Sequence, residues 1–70
     1  MEIYIVSDVG GTQIRAASFD VETLNPIKQK KIPTQSKGQL PVDRLIQLIQ
    51  EIKEDHLVKA IAVAAPGFLD

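Results

Sequence analysis

An α/β fold with the element order β-β-β-α-β is what this sequence predicts, and three observations carry it. An apolar run, Ile3-Tyr4-Ile5-Val6, leads into Asp8-Val9-Gly10-Gly11-Thr12, and a strand-like run from Ile14 to Phe19 leads out. That is the pattern of a β-hairpin. Apolar residues then recur at helical spacing from Val42 to Ile52. An alanine-rich apolar run, Val58 to Ala65, follows the helix. A helix crossover sets such a strand parallel to an earlier one, here beside the first.

Residues 2–8 read as strand one, apolar on both faces as expected of a central strand covered on both sides. Residues 12–20 read as strand two. It carries Ile14, Ala16 and Ser18 on one face and Arg15, Ala17 and Phe19 on the other. Its small residues predict another element packed closely over it. A turn follows at Leu24-Asn25-Pro26. Residues 27–32, closed by Pro33, read as a polar edge strand. Lys28, Lys30 and Lys31 read as guards against edge pairing, with a basic patch as the alternative.

Thr34 to Gln39 is a polar loop. Pro41 suits the first turn of a helix, where its missing N–H costs nothing. Val42, Leu45, Ile46, Ile49 and Ile52 form the apolar stripe expected to face the core. Asp43 and Lys53 suit the helix dipole at its two ends. His56, the one histidine, falls in the helix-to-strand connection and reads as solvated, not catalytic or metal-binding.

Seventy residues make at most one small domain. A chain of this size buries only about 60% of its unfolded surface, which leaves it marginal alone. A net charge of −1 gives no electrostatic footprint for nucleic acid or an anionic membrane. The lack of cysteine removes disulfides and Cys-based zinc sites from this segment. No apolar run approaches the ~20 residues of a membrane span. Glu2 and the immediate strand do not resemble a signal peptide, so a cytoplasmic protein is the expectation. There is no P-loop, no Gly-x-Gly-x-x-Gly and no Ser, His and acid arrangement.

The chemistry that remains is phosphate handling at the hairpin turn. Glycine accepts positive φ and lets backbone N–H groups approach a ligand. Successive N–H groups make a concavity for an anion, and the Thr12 hydroxyl adds a hydrogen bond. Asp8 would repel a bare phosphate, so it implies a cation between the two, with hydrated Mg2+ the natural choice. A plain Gly-Gly turn is the competing explanation. The acid at the end of an apolar strand weighs against it.

Two segments carry a family resemblance. Ile5-Val6-Ser7-Asp8-Val9-Gly10-Gly11-Thr12-Gln13-Ile14-Arg15-Ala16-Ala17, with Ala64-Ala65-Pro66-Gly67-Phe68-Leu69-Asp70 about fifty residues later, resembles the start of a ROK-family sugar kinase. The resemblance implies an incomplete ribonuclease-H-like (actin-like ATPase) lobe over residues 1–70, truncated before the catalytic Asp. It implies a glucokinase-like parent that transfers the ATP γ-phosphoryl to a hexose hydroxyl. Asp8, Gly10, Gly11, Thr12 and Gln13 would then serve ATP, with Asp8 near Mg2+, while Pro66 and Gly67 would serve the sugar. Arg15 would either reach a phosphate or pair with an acid.

The resemblance places the catalytic base, the sugar-binding Glu-x-x-His motif and any zinc site beyond Asp70, which is not itself the base. The 70-residue chain alone is therefore expected to be inactive, and the parent a homo-oligomer in carbohydrate metabolism. Three rivals stay open: another ATPase of the actin/Hsp70/hexokinase superfamily, a ROK repressor, and a non-catalytic nucleotide- or sugar-sensing module. With the first strand read from residue 2, no DNA-binding helix-turn-helix is expected ahead of it, which weighs against the repressor.

Overall fold

The computed structural model describes residues 1–35 and 37–65. Its elements are β1 (Glu2–Val9), β2 (Gln13–Asp20), β3 (Pro26–Pro33), α1 (Pro41–Lys53) and β4 (Leu57–Ala64). The predicted β-β-β-α-β order is the observed one, and the fold is a small α/β domain. The four strands form one mixed sheet in the order β3-β2-β1-β4. β1 pairs antiparallel with β2 and parallel with β4, and β2 pairs antiparallel with β3. The Lys-rich strand is therefore an edge, and the crossover strand lies beside the first, as the sequence pattern requires.

Period-two alternation sorts the strand residues onto two faces. Ile3, Ile5, Ile14 and Ala16 turn to one face and are buried there with Leu48 and Ile52 of α1. The small Ala16 lets the helix come close. Two serines are buried on the same face, and each finds an acceptor. Ser7 Oγ donates to the Arg15 carbonyl at 2.8 Å, and Ser18 Oγ donates to the Lys28 carbonyl at 3.5 Å. No buried side-chain polar atom among the described residues lacks a partner.

The helix stripe differs from the expected one. Leu48 and Ile52 are buried and Leu45 and Ile49 partly so, whereas Val42 and Ile46 are exposed. The physical reason is where α1 lies. It packs across β1, β2 and β3, so its contact line runs through 45, 48, 49 and 52, and residues 42 and 46 fall on the flank. That same placement leaves Ile61 and Val63 of β4 each 48% exposed.

A second expectation is corrected. β1 is central, but it is covered on one face only. With one helix in the described chain, the face bearing Tyr4, Val6 and Phe19 has nothing packed over it, and Val6 is 47% exposed.

The connections are held by backbone and arginine. Pro41 opens α1 after Leu40, which has no side-chain cap bond. Arg44 donates from Nε and Nη2 to the Pro33 carbonyl at 3.2 and 3.0 Å, tying the helix start to the end of β3. No helix of the described residues is long and apolar enough to cross a membrane.

Candidate functional site

The β1–β2 turn sits where β1 runs out. Gly10 donates its N–H to the Gln13 carbonyl at 2.9 Å, closing the hairpin. Thr34, just past β3, clamps the turn from the side. Its N–H donates to the Thr12 carbonyl at 2.9 Å and its hydroxyl donates to the Gly10 carbonyl at 2.8 Å. Thr34 is buried. The sequence reading passed over it as a loop residue. The pairing of Gln13 with Pro33 is the feature that places residue 34 opposite residue 12.

The two glycines have different reasons to be glycine. Neither lies at positive φ; among the described glycines only Gly38 does, at 79°. The expected left-handed turn is therefore absent at Gly10 and Gly11. At Gly10 a Cβ would stand 3.0 Å from the Gln13 carbonyl oxygen, so close backbone packing excludes a side chain. At Gly11 a Cβ would meet nothing within 4 Å. The fold itself sets no demand for glycine there.

The turn's donors divide in the same way. The Gly10 N–H is committed to the hairpin, which removes it from the expected anion cradle. Among the described residues, the N–H groups of Gly11 and Thr12 and the Thr12 hydroxyl donate to no protein acceptor, and both residues are exposed. Three donors thus meet solvent beside an unfilled space.

Asp8 is exposed on the uncovered face of the sheet and stands opposite Arg15 on β2 and Ala64 on β4. Asp8 and Arg15 border a half-open concavity of about 610 Å³ that reaches across β1 to β3. Gln13 is exposed at the start of β2 and serves the turn through its carbonyl. The structure therefore brings Asp8, Gly11, Thr12 and Gln13 to one end of the sheet, with Gly10 as their structural hinge. Pro66, Gly67 and Asp70 lie outside the described residues. His56 is half-buried after α1, with Nε2 3.7 Å from a carboxylate oxygen of Glu54, well removed in sequence from the turn.

Among the described residues no three His, Cys, Asp or Glu side chains gather to hold a metal. A cation at Asp8 would draw its other ligands from water and from phosphate oxygens, the usual preference of Mg2+. No protein-family profile matches this chain, and no curated protein matches it either.

Proposed function

We propose that this chain is the N-terminal phosphate-binding segment of an ATP-dependent hexose kinase, glucokinase-like, built on a ribonuclease-H-like lobe. The observation that carries the reading is Gly11. A glycine that neither its φ nor its neighbours require borders open space, with unused N–H and hydroxyl donors at hand and a carboxylate one strand-end away. A phosphate oxygen fits that space, and donors aimed at a charged oxygen form the stronger class of hydrogen bond. The quoted motif residues, 5–17 and 64–70, supply the sugar-kinase part of the reading.

In this reading the Gly11 and Thr12 N–H groups and the Thr12 hydroxyl bind and orient the terminal phosphates of ATP. Asp8 faces Mg2+ through water, and that ion, when bound, offsets phosphate charge. Phosphoryl transfer depends on such positioning and charge stabilisation more than on covalent chemistry. Pro66 and Gly67 are assigned to the sugar. ATP and a hexose are the small-molecule partners, and the cytoplasm is the setting where both are met.

The test is kinetic, on the protein that carries this segment, with MgATP and a panel of hexoses that includes glucose. Asp8→Asn and Gly11→Val are each expected to lower kcat/KM at least tenfold at unchanged fold. If both variants keep wild-type kcat with every hexose turned over, the turn is structural and the reading fails.

A further inference from the structure

Thr34 lies one residue past β3 and is only 5% exposed, so its side chain stands inside the fold and not on a surface that a ligand would meet. Both of its donors are committed to the β1–β2 turn. The hydroxyl donates to the Gly10 carbonyl at 2.8 Å and the N–H to the Thr12 carbonyl at 2.9 Å. These two carbonyls bracket Gly11.

Peptide planarity turns those bonds into directions. None of the described peptide bonds is cis, and in a trans peptide plane the carbonyl and the following N–H point opposite ways. The Gly10 carbonyl and the Gly11 N–H share one such plane. With that carbonyl drawn in to Thr34, the Gly11 N–H is turned away from Thr34 and out of the fold. It meets no protein acceptor among the described residues. Gly11 has no side chain to hold the plane by its own packing, so the orientation comes from a residue 24 positions away from Gly10 in the chain.

The same geometry runs one step further back. The Pro33 carbonyl and the Thr34 N–H are the two ends of another plane. Arg44 of α1 takes the Pro33 carbonyl with Nε at 3.2 Å and Nη2 at 3.0 Å. The Thr34 N–H accordingly faces the other way, toward Thr12. Two fixed planes thus connect the first turns of α1 to the hairpin turn.

We propose that Thr34 is a positioning residue for the phosphate turn, aiming the Gly11 N–H at the terminal phosphate of a nucleotide from inside the fold. This rests on the phosphate reading of the turn. The contribution is pre-organisation. Without the clamp the Gly10–Gly11 plane is free to rotate, because glycine restricts its backbone least, and the ligand must order it on binding. Ordering one backbone residue at that moment corresponds to about five- to thirtyfold in affinity.

The experiment joins 15N relaxation to calorimetric titration with MgATP, both on the 70-residue chain, with circular dichroism giving the folded fraction of each variant. In Thr34→Val the order parameter of the Gly11 amide is expected to fall from about 0.85 to below about 0.6. The MgATP Kd per folded molecule should rise about five- to thirtyfold. Thr34→Ser keeps both donors and should hold the wild-type order parameter and affinity. If Thr34→Val only lost stability, with Gly11 as rigid as before and affinity unchanged, the positioning role would be overturned, and the turn would stand as long as Gly11→Val still weakened MgATP. A serine variant as impaired as the valine variant would assign the effect to the methyl group's packing and also overturn it. If the wild-type chain bound no MgATP, or Gly11→Val bound it as well as wild type, the phosphate reading of the turn would fall and the positioning role with it.

Discussion

The two faces of the sheet are made by the same strands and have opposite characters. On the helix face, Ile3, Ile5, Ile14, Ala16, Leu48 and Ile52 close against one another, and the buried serines are hydrogen-bonded. On the other face, Val6 is half-exposed, and Asp8, Arg15 and Lys31 form a charged row that no ion pair closes among the described residues. Residues adjacent in the chain, such as Ser7 and Asp8 or Lys30 and Lys31, therefore serve different ends. The apolar core is placed on one face and the charged row on the other.

The largest effect expected from that division is on stability. Ile52→Ala or Ile5→Ala removes a fully buried side chain from the helix face, at a cost of about 2–5 kcal/mol. A single core of this size rarely supplies more than about 3–5 kcal/mol. Either variant should therefore lose cooperative unfolding in a urea titration. Val6→Ala, one residue from Ile5 but on the uncovered face, should shift the midpoint by under about 1 kcal/mol. Comparable losses at residues 5 and 6 would mean that the second face is also packed in solution, and the comparison would break.

How far the sequence discloses these faces follows from which interactions are local. Alternation along β2 separated Ile14, Ala16 and Ser18 from Arg15, Ala17 and Phe19 correctly, because side-chain direction in a strand depends on nothing but position. The hairpin, the Lys-rich edge and Pro41 at the helix start were legible for the same reason. The helix stripe was not. Leu48 lies on the buried line and Val42 and Ile46 lie off it because α1 rests over β1, β2 and β3, and periodicity alone does not say which neighbours a helix has. At the site, the motif identified the turn but not its internal division of labour. The clamp from Thr34 comes from strand pairing across 20 or so residues of chain, and so does the choice of which face takes Lys31 and which takes Lys28 and Lys30, whose separation is itself plain alternation.

A smaller effect sharpens the same contrast within one turn. Gly10→Ala places a methyl 3.0 Å from the Gln13 carbonyl oxygen, a backbone atom that must give way, and should cost about 1 kcal/mol of stability. Gly11→Ala adds its methyl to open space and should leave the unfolding midpoint within about 0.5 kcal/mol, while weakening MgATP. Paired urea and calorimetric titrations give both numbers. If Gly11→Ala were the destabilising variant and Gly10→Ala the neutral one, the roles assigned to the two glycines would be reversed.

Thr34→Val tests the clamp. It keeps the shape of the side chain and removes the hydroxyl that donates to the Gly10 carbonyl, leaving that acceptor without it. The expected loss is about 0.5–1.5 kcal/mol, together with faster amide exchange at Gly10, whose own N–H closes the hairpin. Unchanged exchange in a destabilised variant would place the effect in the core beneath Thr34 and not in the turn.

The smallest effect belongs to the charges at the rim of the helix face. The Glu51 carboxyl is held below its ordinary range, first by the hydrogen bond from Lys30 and then by the charge of Lys30, with Lys28 and Arg44 adding to it. A carboxyl lowered in the folded state binds its proton less readily than in the unfolded chain. It therefore contributes stability above the ordinary carboxylate range, and that contribution fades as pH falls through the lowered folded value. Both partners are about half exposed, at 46% and 49%, so solvent and salt screen the pair and the contribution is slight. Glu51→Gln should accordingly lower the urea midpoint a little at neutral pH and low salt. The gap from wild type should narrow in molar salt and close in acid, where wild-type Glu51 is itself protonated. A gap of the same size at neutral and acidic pH would show that residue 51 acts through packing, and the helix face would then owe nothing to the Lys30–Glu51 pair.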